Sequence, residues 1–564
     1  MRHSLKARFE KYYRASAVTK NIVVSLADQR LYCLENNVVV NIFRCSTGSI
    51  GPTPTGHYRI YGHRRWVSSC EYWMDWKTNY GIHAWPRYSN SYGDYEESLG
   101  VRPRSHGCIR LHPLEAYWPY TWAPDGTPLT VMAGHYGKLP LKGANCSLGA
   151  TAPSKTWYFA EGYIDANFIE YLLLFNPGQD PVKVEITYYP EGHPPFVDNL
   201  YLQGGTRYTV PVNSLPGVPS SVGHSVRIEA TGDIIAQQSE YFDLGGRRGG
   251  HTAIGVTEPS TQWYFGEGYT GGLFSTYLLL FNPNDERAFV SVTYSVEGGA
   301  PYVHEFEMPP NSRGTTLVNA LPGLLDKSVA IRVESTEPLV AERTEYFSWA
   351  GHPNGVNGGS AAPGLRELSR TWYLAEGCTG HFFDEYILIF NPGDESTIVT
   401  VEFLSSGGTF AYPFWFPPRS RGTIAVDSVA GLGSAETAAI ITSDTDIAVE
   451  RAMYYARDSR RGGHVSTGAS ETSRDWYFAE GYTGGTFDEY LLLLNPGDQT
   501  AVATLLFHLE NGAEVSAQYA IGPKSRVTVA VDAIPGLTWT ASAVEIHSDR
   551  PIVAEQSQYF CLPR

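Results

Sequence analysis

From Trp157 to its end the chain repeats itself. "TWYFAEGY", "QWYFGEGY", "TWYLAEGC" and "DWYFAEGY" begin around Trp157, Trp263, Trp372 and Trp476, at spacings of 106, 109 and 104 residues. Each copy keeps a Tyr 14 residues after the Trp (Tyr171, Tyr277, Tyr386, Tyr490) and an Asn-Pro pair at 19 (Asn176, Asn282, Asn391, Asn495). A register held over four copies means one structural unit used four times, which limits the fold before any single residue is weighed. Turn residues cut the first copy into seven short pieces, from "WYFAEG" to "IIAQQSEYF", and several alternate apolar and polar residues with the period of a half-buried strand. Seven strands in about 100 residues is the size of an immunoglobulin-like β-sandwich, whereas a propeller blade has a shorter period. Gly-rich stretches such as "GGRRGGHTAIG" and "AGHPNGVNGGSAAPG" read as linkers. The fourth copy stops at "QYFCLPR", as a last bead that needs no onward linker.

Ahead of the repeats lies a second β-rich unit. "NIVVSLADQRLYCLENNVVVNIFRCSTG" reads as three strands with turns at Asp28 and at Asn36-Asn37, "PTPTGHYRIYG" as a loop and strand, and "PLTVMAG" as a closing strand. The expected fold is therefore mainly β. Its expected divisions are an N-terminal segment (1–20), a first domain (21–133), a linker (134–155) and four β-sandwich repeats (156–258, 259–367, 368–471 and 472–564).

Charge separates the two parts: residues 1–147 carry a net +8 and the remainder −24. Acidic repeats argue against a nucleic-acid partner, because binding phosphates needs clustered Lys and Arg. There is no apolar run of 18 residues, so no transmembrane segment is expected. "MRHSLKARFEKYYRASAVTK" is positive without an apolar core, so it does not read as a secretory signal.

Seven cysteines, with no CxxC pair, leave at least one unpaired within a monomer. The cysteine that draws attention is Cys108 in "RSHGCIRLHP", residues 104–113, where Ser, His, Cys and Arg crowd together. By residue type alone this is a catalytic cysteine turn, a metal-ligand cluster or an ordinary loop. A thiol becomes a strong nucleophile only as the thiolate, and an unperturbed Cys has a pKa near ~8.5, so catalysis would require a base close by.

Taken in order, "DQRLYCLENNVVVNIFRCSTG", "PTPTGHYRI", "IHAW" and "SHGCIRL" resemble the catalytic domain of YkuD-type L,D-transpeptidases, enzymes that cross-link or modify bacterial peptidoglycan. The resemblance spans about residues 21–133, and SHGC followed by an apolar residue and Arg is its most specific part. It implies that Cys108 is the nucleophile and His83 of "GIHAW" the base. Ser105, His106, Gly107 and Arg110 would line the site. The N–H groups of Gly107 and Cys108 would converge on an oxyanion, each worth about 3 to 4 kcal/mol, and Arg110 would hold a substrate carboxylate or fix the loop. Cys108 would attack the carbonyl of the third stem residue, usually a diamino acid in the family, and release the terminal D-alanine. Transfer to an amine acceptor would then give a 3-3 cross-link or an attached protein. Carbapenems acylate this family. The implied partners are peptidoglycan stem peptides, with a possible wall or surface partner for the repeats. The implied location is the cell wall or the extracellular side of a bacterial envelope, and no cofactor or metal is implied. An L,D-carboxypeptidase using water, and a non-catalytic surface interaction protein, are the alternative readings.

Two features depart from the family. The 21 residues between His83 and Ser105 exceed its compact spacing and suggest a Tyr-rich loop over 84–104 beside the site. Ala84 stands where a Gly commonly follows the base, so the partner that orients His83 is expected to be a backbone carbonyl. Elsewhere the plainer readings are preferred: Cys33, Cys45 and Cys70 as small core residues, and His57 and His63 as ordinary histidines. Trp66, Trp73, Trp76 and Trp85 are expected to pack the core or a lid. A zinc site built from SHGC with His83 and His112 lacks the usual second ligand pair. The recurring Glu161, Glu267, Glu376 and Glu480 are expected to cap strands or form salt bridges rather than bind calcium.

Overall fold

The computed structural model describes residues 19–35, 38–49, 51–88, 91–92, 99, 102–134, 141–245, 247–349, 356–380, 382–457, 460–484, 487–510 and 512–562. Residues 1–18 of the N-terminal segment, the Asn36-Asn37 turn and parts of the 84–104 loop lie outside that set. The chain is 65% strand and 4% helix, so the mainly β expectation holds. It divides into two compact units, Met1–Pro140 with Pro563–Arg564, and Leu141–Leu562.

The first unit is built on β1 (Lys20–Ser25), β2 (Arg30–Glu35), β3 (Val38–Ser46), β4 (Gly56–Arg59), β5 (Gly62–Val67), β6 (Cys70–Lys77) and β7 (Tyr80–Ala84). A short hairpin follows, β8 (Arg87–Tyr88) and β9 (Ser91–Tyr92), then β10 (Ile109–Leu111), helix α1 (Pro113–Trp122) and β11 (Pro128–Met132). Nine strands form one sheet in the order β4-β11-β1-β2-β3-β10-β7-β6-β5. Alternation drives the burial: Ile22 and Val24 of β1, and Leu31 and Cys33 of β2, are fully buried with Cys45, Ile82, Ile109 and Leu111. Cys33 and Cys45 are thus core residues as expected, and burial pushes the Cys33 thiol up to about 12. Trp73, Trp76 and Trp85 are buried and Trp66 is half exposed. β10 sits between β3 (antiparallel) and β7 (parallel), which carries the segment after Cys108 into the middle of the sheet.

In the second unit each repeat is a curled seven-stranded sheet organised on one 21-residue strand. In the first repeat that strand is His224–Leu244. Its first part pairs with Ser154–Phe159 and Val182–Pro190, and its second part with Phe168–Asn176 and Arg247–Ile254, so one strand serves both layers. The recurrent Trp marks the crossover: Trp157 is 2% exposed and its indole N–H donates to Ile234 O at 2.9 Å. Trp263, Trp372 and Trp476 make the equivalent bond to Leu339, Ile447 and Ile552. A buried indole N–H needs a partner, and the bent strand's carbonyl supplies it.

The stretches read as linkers are strands. Residues 134–155 contain β12 (Leu141–Leu148), and the Gly-rich connections form Arg247–Ile254, Val356–Pro363 and Arg460–Thr467. These four strands pack on one another. Glycine is there for close approach: a Cβ on Gly249 would lie 3.1 Å from Gly358 Cα, and one on Gly462 would lie 3.0 Å from Gly143 Cα. β12 pairs in antiparallel register with Ser542–Leu562, from Leu141↔Leu562 to Leu148↔Glu555. The last repeat thus receives its seventh strand from residues preceding the first repeat. The four repeats close on each other as one body, and the expected bead with no onward linker is completed from the other end.

The same neighbour-to-neighbour scheme recurs around that body. Glu342 accepts from the Glu161 N–H at 2.8 Å, Glu450 from Glu267 at 2.7 Å, Glu555 from Ala375 at 2.9 Å, and Gln237 from Ala479 at 2.7 Å. Buried ion pairs join Arg207 to Glu480 and Arg421 to Glu267, both at 3.0 Å. The expected salt-bridge role of the recurring Glu is met at these positions, across repeats rather than within one. Cys146, Glu376 and His464 come within 4.8 Å of one another. Arg451 lies 2.9 Å from Glu376 and 3.1 Å from Cys146, so a guanidinium already supplies the positive charge.

This buried polar layer fixes a pH response. Burial raises the carboxyls of Glu342, Glu385 and Glu489 to about 8, and lowers the imidazoles of His251 and His464 to about 3 and about 4. For the glutamates the folded state holds protons that the unfolded chain has released, so their contribution is full at low pH and lost as pH rises to 8. For the histidines the unfolded chain takes up protons the fold refuses, so stability climbs with pH until about 6.5. Above that value only the glutamates still change. Calorimetric melting of the second unit is expected to move to lower temperature between about pH 6.5 and 8. A melting temperature that rises over this interval would mean that these carboxyls are ionised in the fold.

Candidate active site

Parallel pairing of β10 with β7 aligns Ile109 with Ile82 and Arg110 with His83. Cys108, one position before β10, therefore falls alongside Gly81, whose backbone hydrogen-bonds the sulfur. Sγ lies 4.0 Å from Asn79 O. Two segments distant in sequence, "GIHAW" and "SHGCIRL", become neighbouring strands, and side chains two apart share a face. Cys108, Arg110 and His83 are thus brought together by register.

His83 is 2% exposed and stacks on Trp73 with ring centroids 4.8 Å apart and planes 7° from parallel. Its Nδ1 lies 2.6 Å from Ala84 O. A carbonyl can only accept, so Nδ1 carries the proton and Nε2 keeps the lone pair, the tautomer a base requires. Burial lowers the imidazole to about 4, with Arg110 adding to the effect against the Ala84 bond, and His83 is neutral at pH 7. Burial raises the Cys108 thiol, while the Gly81 bond and Arg110 pull it back down. The resting pair is thiol and neutral imidazole rather than an ion pair.

The turn that carries Cys108 is held from three sides. Ser105 is fully buried; its hydroxyl donates to Cys108 O at 2.5 Å and accepts from Gly107 N–H at 3.0 Å. The Gly107 N–H, expected as an oxyanion donor, is given to the Ser105 hydroxyl. Gly107 has φ +123°, and a Cβ there would meet the Tyr80 ring at 2.6 Å, so only glycine fits. Thr53 of "PTPTG" donates to Gly107 O and accepts from Gly48 N–H, both at 2.8 Å. Gln29 holds Thr47 through both ends of its amide, and Thr47 O accepts from Arg104 and Ser105. Arg110 reaches Arg104 O at 3.2 Å and so ties the start of this turn to β10. His106 is exposed.

Residue-type reasoning did not single out Thr53 or Gln29, and it read Trp73 as core or lid packing without linking it to His83. Trp73 lies over Gly81, where a Cβ would come within 2.3 Å of its ring, and its indole N–H donates to Asp75 at 2.7 Å. Asp75 in turn is held by Arg64 at 2.6 Å. Thr53 lay within a quoted motif, but its hydroxyl's two partners come from distant segments. His63 pairs with Asp125 and His57 with Thr130, away from this cluster. His112 packs edge-on against Trp85, and its carbonyl starts α1.

Residues 19–131 match the YkuD family, described as the L,D-transpeptidase catalytic domain. Among solved structures, an L,D-transpeptidase from Mycobacterium smegmatis is 19% identical over 21% of this chain and 59% of that one, with a TM-score of 0.18. An L,D-transpeptidase from Mycobacterium tuberculosis H37Rv is 24% identical over 20% of this chain and 58% of that one, with a TM-score of 0.18. L,D-transpeptidase 3 from Mycobacterium tuberculosis, in complex with a faropenem-derived adduct, is 21% identical over 20% of this chain and 60% of that one, with a TM-score of 0.18. The matched part spans less than two thirds of these relatives. No curated protein matches this chain.

Proposed function

We propose that the L,D-transpeptidase catalytic domain at residues 19–131 makes this chain a peptidoglycan transpeptidase that works through an acyl-enzyme on Cys108. The observation that carries the reading is the β10–β7 register, which sets Cys108 beside Gly81 and Arg110 beside His83, together with the His83 tautomer fixed by Ala84 O.

In this mechanism His83 Nε2 takes the thiol proton as Sγ attacks the carbonyl of the third stem residue. Because both groups rest neutral, substrate binding and proton transfer coincide rather than drawing on a standing thiolate. The oxyanion is received by the Cys108 N–H, with Gly107 N–H committed to Ser105. Collapse breaks the amide, His83 returns its proton to the departing amine of D-alanine, and a thioester remains. An acceptor amine then attacks the thioester and gives its proton to His83, the new amide forms as Cys108 leaves as thiolate, and His83 returns the proton to Sγ. Ser105 and Gly107 position the nucleophile, and Arg110 steadies the turn and biases Cys108 towards thiolate.

The place of action is the wall side of a bacterial envelope, where the stem peptides are. No helix among the described residues is long and apolar enough to cross a membrane. The repeats, closed into one body, would serve as a compact wall-facing module rather than an extended stalk.

Incubation with a purified disaccharide-tetrapeptide is expected to give a dimer lighter by one D-alanine than two substrates, read by mass, and Cys108→Ala is expected to give none. Trimmed monomer alone would replace transfer to an amine by hydrolysis. Dimer formation that survives in Cys108→Ala would remove the cysteine from the mechanism.

A further inference from the structure

The closed body of repeats places the same cleft at successive junctions. Between the first and second repeats a cavity of about 380 Å³ is lined by Glu161, Tyr163, Phe168, Tyr277, Arg313 and Tyr346. Between the second and third, a cavity of about 500 Å³ has Glu267, Tyr269, Phe274, Tyr386, Arg421 and Tyr454 at the same positions. Between the third and fourth, a cavity of about 280 Å³ repeats the set, with Cys378 in place of the first Tyr. At the remaining junction Tyr482, Phe487, Tyr171 and Tyr241 form the corresponding aromatic group above the Arg207–Glu480 pair. These volumes are close to the ~300–1,000 Å³ of small-molecule sites.

Each cleft is lined by Tyr and Phe rings together with one Arg and one or more carboxylates. In the first, Phe168 meets Tyr163 and Tyr346 edge-on at 5.0 and 6.0 Å, in one packed aromatic group beside the cavity. Tyr269 and Tyr482, at the equivalent rims, are 37% and 38% exposed. The floor Arg is paired differently from cleft to cleft, and in the third Arg526 turns to Glu436 at 3.2 Å rather than to Glu376. Arg421 and Arg207 close onto their glutamates at 3.0 Å, whereas Arg313 instead reaches the exposed Glu191 at 3.3 Å and its Nε has no hydrogen-bond partner, though its side chain is 4% exposed. Glu161 meanwhile leans on the neighbouring Glu240. A buried donor without an acceptor is costly, and one facing a cavity marks the place where a ligand acceptor belongs.

We propose that these junction clefts bind pyranose rings of a glycan, with the cleft at Arg313 as the principal site. A pyranose offers an apolar C–H face to Tyr and Phe rings and a rim of hydroxyls to Arg and carboxylates, and it is uncharged where Glu161, Asp165, Glu191 and Asp243 already outnumber Arg313. An anionic ligand would meet a body that is strongly acidic outside these pairs. Repetition points the same way: like clefts at three junctions, with the same aromatic group at the fourth, suit a polymer that repeats itself, because each ring bound raises the effective concentration of the next. The wall-directed reading of the first unit enters only in choosing an N-acetylglucosamine polymer as the probe.

The test is calorimetric titration of chitotetraose into the full chain carrying Cys108→Ala, with saturation-transfer NMR on the unaltered chain. Saturable binding is expected, with transfer from aromatic protons to pyranose C–H groups. Glu161→Gln, and Tyr277→Ala with Tyr386→Ala and Tyr490→Ala, are expected to weaken it, the triple variant at least tenfold, in chains whose melting shows them folded. Absence of saturable binding and of transfer in the unaltered chain overturns the proposal. So does binding of a free stem tetrapeptide in place of chitotetraose. A chain that binds chitotetraose but forms no acyl-enzyme would refute the transpeptidase reading and leave this inference standing.

Discussion

Replacing His83 with alanine is expected to slow acylation of Cys108 by roughly 100- to 10,000-fold, the usual worth of a positioned general base. The size follows from the resting state. Burial holds the Cys108 thiol above its ordinary value, so few molecules carry a thiolate at neutral pH and removal of the proton acceptor is felt almost in full. The residual rate should keep rising with pH past about 8.5, the ordinary thiol value, as hydroxide replaces the imidazole. His83 also stacks on Trp73, so some loss of stability accompanies the change, and rates need comparison well below the melting temperature. Acylation within threefold of the unaltered chain would show that another group takes the proton.

Deleting residues 141–148 is expected to cost the second unit on the order of 5 kcal/mol, from an eight-residue ladder at about 0.5–1.5 kcal/mol per hydrogen bond. β12 contributes more than its ladder. Asn145 donates to Thr252 of the first repeat at 3.0 Å, and Cys146 contacts Glu555 and Arg451 of the last two. The deletion leaves Ser542–Leu562 as an open edge in a body whose other repeats have none at that position, and an open edge recruits other chains. Melting should fall by several degrees, with dimers appearing in sedimentation. The first unit, compact by itself, should keep its own transition. Unchanged melting would mean that the last repeat is stable without a strand from before the first.

How far these features could be read from sequence depends on whether their cause is local. Cys108 and His83 stood out as candidates because a cysteine followed by Ile and Arg, and a histidine inside "GIHAW", sit in short motifs that follow one another in the chain. The register that joins them is a property of the sheet. The partner of His83 was expected to be a backbone carbonyl, and it is Ala84 O. Gly107 was read as a donor from its place in the turn, but a serine two residues back competes for the same N–H. The Gly-rich connections were misread for a physical reason. Glycine signals both flexibility and close backbone approach, and only the packing of Gly249, Gly358, Gly462 and Gly143 on one another tells them apart. Their recurrence in phase with the Trp repeat was the available sign that they belonged to the fold. The role of the 84–104 loop as a lid falls on residues only partly described.

The nucleophile is tested most directly by the intact mass of the protein after exposure to a carbapenem, followed by peptide mapping. The unaltered chain should gain one adduct, mapped to the peptide containing Cys108, and Cys108→Ala should gain none. An adduct on Cys70 or any other residue, or an unmodified chain that is folded and reduced, would contradict the assignment.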